Sequence, residues 1–401
     1  MKRTLFENVF RIGIVCMLSV MPAGCSARPG LQPAAEQLTT ATTALTKPAT
    51  AALTNTPSST RTPVKTPTTT TTPVKQPLLL RRDDWGAANQ IRAMLIDQNG
   101  NLWAGGPNSI VRWDTDTGQH TAYVFENVER FFGVETISQT TDQAVWFGTF
   151  GNGIYRIDRH GNWRLFTTAD GLPSDYITSL AAAPDGRLWV DTHRGRDLKG
   201  GSFGLFDGSK WVAGVGGGFF KIAATPDSGP WGLVLLQAGQ FFDSYVGFYD
   251  GEKWETNFDF GNNIVTAITI APDGTVWAGS QKAIFHHTEA GWHIIVPPWS
   301  GKTDAEVTSI QVTQDGTVWF GFSRDTALLG FVCVKFDDED EFGVYRFKDQ
   351  KWTHFTEKDG LIDNKICAIA VGPDGSAYFG SYDKGISRFD GQRWTAYVIQ
   401  E

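Results

Sequence analysis

From about residue 88 onward, apolar and polar positions run in short alternations broken by turn residues, and one four-part phrase returns seven times. Its clearest part is a tight turn followed by a strand carrying an aromatic: "DQNGNLWAGG" from 97, "APDGRLWVDT" from 183, "APDGTVWAGS" from 271, "TQDGTVWFGF" from 313 and "GPDGSAYFGS" from 372. In the turn at 271, Pro272 fixes φ, Asp273 brings a side chain able to bond its own backbone, and Gly274 accepts positive φ, the order a hairpin needs. Before the turn lies a strand of small and apolar residues, as in "YITSLAAA", "VTAITIA", "VTSIQVT" and "ICAIAVG". After it, "TVWAG", "AVWFG" and "TVWFG" are nearly continuous in apolar residues, the pattern of a strand buried on both faces. A third strand ("GIYRIDRHG", "FGLFDG", "VGFYDG", "GISRFDG") and a fourth ("NWRLFTT", "SKWVAG", "EKWETN", "GWHIIV", "KWTHFT", "RWTAYV") complete the unit. No stretch of this region shows the 3.6-residue period of a helix.

The aromatic after the turn serves as a ruler: Trp103, Trp146, Trp189, Trp231, Trp277, Trp319 and Tyr378. A period of roughly 40–50 residues built from short strands is the signature of propeller blades. The prediction is an all-β fold, a seven-bladed β-propeller of four-stranded antiparallel blades over 78–401. Twelve of the fifteen tryptophans fall on the second- or fourth-strand position, which makes them core; Trp85, Trp113 and Trp299 are the exceptions. The last unit supplies its own outer strand, "RWTAYV", and a part for "LLLRRDDW" (78–85) in closing the ring is left open. With 41% hydrophobic residues the chain has ample material for a large core.

The amino terminus is different in kind. Lys2, Arg3 and Arg11 precede the apolar run "IGIVCMLSVM", which has the length of a secretory signal and is too short to span a bilayer. The "PAGC" that follows resembles a bacterial lipobox, with Cys25 as the lipidated first residue of the mature chain. Pro22 stands where a leucine-like residue is usual, and ordinary cleavage after a small residue is the alternative. Residues 25–77 are Thr/Pro/Ala-rich with almost no large apolar side chains, which predicts a disordered linker after a signal peptide at 1–24. Such a leash holds a domain on the order of 40 Å from a surface. Residues 1–77 carry eight Lys/Arg against Glu7 and Glu36; with −8 for the whole chain, 78–401 is left at −14. So acidic a domain is a poor partner for nucleic acid or for an anionic membrane surface, so membrane contact is expected only through the lipid anchor.

The connections "TTADGLPSDYITSL" (167–180) and "TEKDGLIDNKICAI" (356–369) resemble the two-component regulator propeller repeat, whose pattern runs "dGLp-n-V-si--d--G-lWigT--Gl-ry". The resemblance covers all seven units and is strongest in units 2, 3, 5 and 7; unit 4 adds residues at the turn and unit 6 carries a long insertion. It implies an extracytoplasmic sensor propeller of the kind found in hybrid histidine kinases. With no kinase or regulator domain following, the expectation is a stand-alone binding module, secreted, cell-surface or periplasmic and lipid-anchored, without signalling output of its own.

Catalysis finds little support. His120, His293 and His354 lie in outer strands, and His286 and His287 are adjacent, so they face opposite sides of a strand. No G-x-S-x-G, H-E-x-x-H or Cys/His cluster occurs, and no cofactor or metal is expected. Streptogramin lyases resemble this chain in their "DG-lW" phrase, but their "iGri" strand and "G-I-E" ending are absent. Five successive carboxylates at 337–341 read as a solvated face, since calcium loops space their ligands at alternate positions. Cys333 and Cys367 read as unpaired small hydrophobes, although one disulfide between them is the alternative.

Binding is the favoured function, at loops that converge on the channel mouth. "DTHRGRDLKGGS" (191–202) offers Arg194 and Arg196 beside His193; "LLQAGQFFDSYV" (235–246) offers Phe242 and Tyr245; "VPPWSGKTDAE" (296–306) displays Trp299; Arg324 and Tyr382 complete the set. Aromatics and arginines suit stacking on a sugar ring or paired hydrogen bonds to an anion. The expected partner is a small molecule or oligosaccharide; a protein partner on a broader face, and a propeller lyase or hydrolase, are the alternatives.

Overall fold

A computed structural model describes residues 78–79, 89–107, 109–124, 133–193, 201–213, 219–225, 229–238, 241–260, 263–301, 306–323 and 342–399. The signal peptide and linker therefore lie outside the described residues, apart from Leu78–Leu79 at the domain border. Seven antiparallel sheets follow one another along the chain as blades, over 93–124, 134–166, 176–213, 219–259, 265–295, 306–355 and 366–397. Six have four strands, ordered from the innermost to the outermost as in sequence. Blade 1 has a fifth: Leu78–Leu79 pairs with His120–Val124, setting Leu78 against Val124 and Leu79 against Tyr123. The amino-terminal segment thus borders blade 1 on its outside and takes no strand in blade 7.

The repeat phrase becomes geometry at each turn. In the turn at 271, the Gly274 N–H donates to the Ala271 carbonyl at 2.9 Å, and Asp273 accepts from the Thr275 backbone and hydroxyl at 3.0 and 2.7 Å. The tryptophans that follow are buried with their indole N–H groups directed at turn residues: Trp103 Nε1 donates to Asp97 and Trp146 Nε1 to Thr140. Arginines on third strands lie over these rings, with Arg156 5.1 Å from the Trp146 centroid and Arg112 5.7 Å from Trp103.

Blades are held apart at a fixed distance by one missing atom. Gly105, Gly148, Gly279, Gly321 and Gly380 follow the ruler aromatic by two residues, and the side chains of Val134, Ile177, Val307, Ile366 and Ile91 occupy the space above them. A Cβ on Gly148 would stand 2.6 Å from Ile177, and one on Gly321 2.9 Å from Ile366. Each β-branched residue comes from the inner strand of the next blade or its approach, so every such contact ties two blades.

The connections between blades add a second tie. Thr167 and Thr356 each cap a single 3-10 turn, Thr168–Asp170 and Glu357–Asp359, in reciprocal capping boxes, and Gly171 and Gly360 leave those turns at φ 99° and 112°. Leu172 and Leu361, next in each "DGL", are buried between blades. The side chains of Asp175 and Asn364 then accept the Thr168 and Glu357 N–H groups, both at 2.8 Å, while their backbone carbonyls accept from Gly153 and Gly343.

Ring closure repeats this device across a break in the chain. Asn89 Oδ1 accepts the Ile399 N–H and Asn89 Nδ2 donates to the Ile399 carbonyl, both at 3.0 Å, while the Asn89 carbonyl accepts from Gly385 at 3.1 Å. Ile91 N–H donates to Ser381, and Tyr397 donates to the Thr115 carbonyl. Ile91, Met94, Trp113, Tyr378, Tyr397 and Ile399 share one buried cluster at this seam. Trp113, outside the repeat positions, is thereby core as well.

One cysteine departs from expectation. Cys367, on the inner strand of blade 7, is disulfide-bonded, with its partner outside the described residues. Composition cannot separate a buried thiol from a bonded one, because pairing depends on which distant segment the fold brings alongside.

Asn89→Ala should lower the unfolding free energy by about 1–3 kcal/mol, the range for two side-chain hydrogen bonds in a half-buried seam. Urea titration checks this, with the exposed turn variant Gln392→Ala expected to change stability by less than about 0.5 kcal/mol.

Candidate functional site

Inner strands line the axis, and most carry a bulge one residue after they begin. The ladder skips from Val134 to Thr136, Ile177 to Ser179, Val265 to Ala267, Val307 to Ser309 and Ile366 to Ala368. The bulged residues are Glu135, Thr178, Thr266, Thr308 and Cys367, with Phe220 in blade 4, where the ladder skips from Phe219 to Lys221, and Arg92 holds the matching place in blade 1. Bulges take a side chain out of the ladder and re-aim it, so one ring of mostly polar residues stands at this end of the inner strands.

Neighbouring blades are bonded through that ring. Arg92 pairs with Glu135 at 2.5 Å, with side chains 14% and 5% exposed. Burial pushes the Glu135 carboxyl up, against the pull of the Arg92 guanidinium. Thr266 donates to the Val307 carbonyl and Thr308 to the Ile366 carbonyl, each at 2.7 Å. One step further along the strands, Thr136, Ser179 and Ser309 accept N–H groups of Leu180, Ile222 and Ile369 in the next blade. Blade 4 breaks the pattern at this step with Lys221, whose ammonium donates to the Thr308 carbonyl two blades away at 2.5 Å. Surrounding protein lowers the lysine to about 8 by desolvation alone.

The glycine wedge also fails in this sector. Blade 3 has Asp191 and blade 4 Leu233 where the other five blades have glycine, both fully buried. Thr178 donates its hydroxyl proton to Asp191 Oδ2 at 2.9 Å, and His193 beside it is 2% exposed. Blades 3 and 4 therefore carry a carboxylate, an imidazole and an ammonium where the frame is elsewhere apolar or small. Aligned on the ruler aromatic, the units carry the exceptions in the sequence itself, W-V-D and W-G-L against W-x-G, on second strands and not in the loops.

The residues singled out in the loops fare differently. Arg194, Arg196, Arg324 and Cys25 lie outside the described residues. The segment 235–246, expected as a loop, is instead a long hairpin: Trp231–Ala238 pairs with Phe241–Tyr249, out to Ala238 opposite Phe241. Phe242 sits in that ladder opposite Gln237, and half-buried Tyr245 sits opposite Val234. Strand propensity of the aromatic and β-branched residues carries both arms of the hairpin through the segment expected as a loop. Trp299 is a correction: it is 3% exposed, with its ring 4.7 Å from Phe322, 4.7 Å from Tyr345 and 5.1 Å from Trp352. It fills, between blades 5 and 6, the place of Leu172 and Leu361 at their junctions, because a large side chain in the connection gains more from that cavity than from display in water.

Tyr382 keeps its place in the turn between the second and third strands of blade 7, half-buried, with its N–H on the Lys365 carbonyl. Close by, Lys384 bonds Glu357 at 2.5 Å and lies 3.8 Å from Asp363. Burial and the charges of Asp383 and Glu357 raise the Asp363 carboxyl, against backbone bonding and Lys384. This rim is charged and half-open. Away from the axis, His286 stacks on Trp277 at 4.0 Å while His287 packs on Trp231 across the sheet. Among the described residues no three His, Cys, Asp or Glu side chains converge to hold a metal ion, and no helix is long and apolar enough to cross a membrane.

Comparison with known proteins agrees with this architecture. Residues 86–108 and 171–194 match the two component regulator propeller repeat, and the chain carries that repeat on a seven-bladed frame. No curated protein matches the sequence. Among solved structures, a streptogramin B lyase is 15% identical with a TM-score of 0.57, covering 78% of this chain and 96% of its own. The extracellular domain of a hybrid two component system from B. thetaiotaomicron is 14% identical with a TM-score of 0.55, covering 79% of this chain and 40% of that one. PorZ, a surface component of the type-IX secretion system of Porphyromonas gingivalis, is 17% identical with a TM-score of 0.55, covering 75% and 46%. At these identities the likeness is one of fold.

Two outcomes follow from the site's geometry. Trp299→Ala should cost about 3–5 kcal/mol of stability, as for a large core aromatic, measured by denaturant unfolding. For Lys221, the folded value of about 8 lies below the ordinary value of 10.5, so between them the unfolded chain binds more protons. Unfolding free energy then rises with pH through that window, by at most about 1.4 kcal/mol per pH unit. Lys221→Met should abolish that rise, seen as a stability difference between wild type and variant that changes from pH 8 upward.

Proposed function

We propose that this protein is a non-enzymatic, extracytoplasmic binding module whose ligand enters at the end of the propeller where the inner strands begin. The carrying observation is the concentration of charged and polar side chains there, from Arg92 and Glu135 through Asp191 and Lys221 to Asp363 and Lys384. Charges on a rigid scaffold are what orientation of a small ligand needs. The regulator propeller repeat supports a sensing role like that of the extracellular domains sharing the fold. A disulfide at Cys367 fits an oxidising compartment, in keeping with a secreted chain anchored through a lipid on Cys25. Among the loop residues, Arg194, Arg196, Arg324 and Tyr382 are the proposed contacts at the mouth. Trp299 is withdrawn from that set by its burial.

The test is thermal unfolding of the full chain against oligosaccharides, organic anions and Ca²⁺. A ligand specific to the folded state adds about 2.7 kcal/mol at 100 times its Kd, which raises the midpoint visibly. The shift should shrink in Arg194→Ala or Tyr382→Ala. A midpoint that no compound moves, together with capture of a cell-surface protein, would replace ligand sensing with a scaffold role.

A further inference from the structure

Lys221 is the exception at its position. The matching residues in the other six blades are Ala93, Thr136, Ser179, Ala267, Ser309 and Ala368, all small. Three of them bond backbone groups of the next blade, whereas Lys221 spans to blade 6 and meets a main-chain carbonyl. Its ammonium carries three N–H donors, and one hydrogen bond occupies one of them. Among the described residues no carboxylate pairs with it, and no charged neighbour contributes to its lowered basicity, which desolvation alone produces. Elsewhere lysines find acids: Lys348 meets Asp315 and Lys384 meets Glu357, both at 2.5 Å. A half-buried positive charge without an acid partner costs free energy, and the −14 domain has acids to spare. Nothing in the frame requires a lysine here, since six blades manage with small residues.

We propose that Lys221 anchors an axial binding site for a small organic carboxylate, set inside the channel beyond the mouth loops. The inference rests on the binding-module reading and specifies its ligand. A carboxylate matches one ammonium in charge and accepts the two donors that Thr308 leaves over. A phosphate dianion would need further cations, and the nearest ring cation, Arg92, is taken by Glu135. The Thr266 and Thr308 hydroxyl protons are committed to carbonyls, so selectivity for the acid group falls on the ammonium.

Competitive labelling of the full chain tests this directly. The amine is acylated with an N-hydroxysuccinimide ester near its folded value of about 8, with acetate, benzoate, glucose or inorganic phosphate present, and Lys221 is followed by peptide mass spectrometry. Acetate or benzoate should slow Lys221 labelling about fivefold or more while leaving Lys348 unaffected, and calorimetric binding of the same acid should weaken about tenfold or more in Lys221→Met, with partial retention in Lys221→Arg. Labelling unchanged by both carboxylates, equal binding in Lys221→Met, or protection by phosphate alone would each overturn the proposal. If an oligosaccharide raises the unfolding midpoint while no carboxylate protects Lys221, the binding-module reading stands and this one falls.

Discussion

The ring depends on a contact in which a side chain is absent on one partner and branched on the other. A second-strand glycine receives a valine or isoleucine from the start of the next blade, and the spacing between blades is the depth of that insertion. Any Cβ at the glycine would collide, and close-packed interiors have no slack to absorb it. The contact needs no covalent continuity. Gly380 receives Ile91 as the other glycines receive their partners, although the chain is cut there. Asn89 likewise does for Ile399 what Asn364 does for Glu357. Closure is then an ordinary junction assembled from the two ends, which leaves Leu78–Leu79 on the outer edge of blade 1 instead of completing blade 7.

Blades 3 and 4 abandon the wedge, and polar groups accumulate there. Asp191 occupies the glycine position and is fully buried, so it must be hydrogen-bonded to persist, and Thr178 provides one such bond. Lys221 replaces a small residue and reaches another blade. Each places a charge where most other blades use a small residue, and a buried charge persists only where partners compensate its lost hydration. Their cost is offset by the glycine wedges of the other five blades, and at Leu172, Trp299 and Leu361 by a buried connection residue as well. Blades 3 and 4 thus depart from the frame at the wedge position, whereas the Arg92–Glu135 and Lys384–Asp363 pairs sit on blades that keep it.

Much of the frame was legible in the sequence, because spacing of Trp103 through Tyr378 and the Asp-Gly turns are local signals repeated often enough to average out irregularities. The candidate site was less so. Trp299 looked available because it stood outside the two repeat positions, yet the connection it belongs to has a buried slot that leucine fills at other junctions. Segment 235–246 carried Gly239 and a run of aromatics, and only pairing across the hairpin, a non-local fact, decides between loop and strand. Asp191 and Lys221 were visible as letters but not as exceptions until the units were superposed on the ruler aromatic. Pairing at Cys367 and the part played by Asn89 depend on segments hundreds of residues apart, or outside the repeat, that no periodicity relates.

A propeller so tied constrains how it responds to a ligand. Moving one blade breaks two junctions at once, and most junctions carry a glycine wedge together with inter-blade hydrogen bonds, so low-energy motion belongs to side chains and loops and not to the ring. Recognition on such a frame is preorganised: the Arg92–Glu135 pair and the Lys221–Thr308 contact hold charge in place before any solute arrives. Little ordering free energy is then lost on binding, and selectivity is set by which donors remain unspent. Among the described residues of the inner strands, Lys221 has donors left over and no acid partner. The connections at the mouth, where Tyr382, Lys384 and Asp363 sit at the junction of blades 6 and 7, can change partners without displacing a blade.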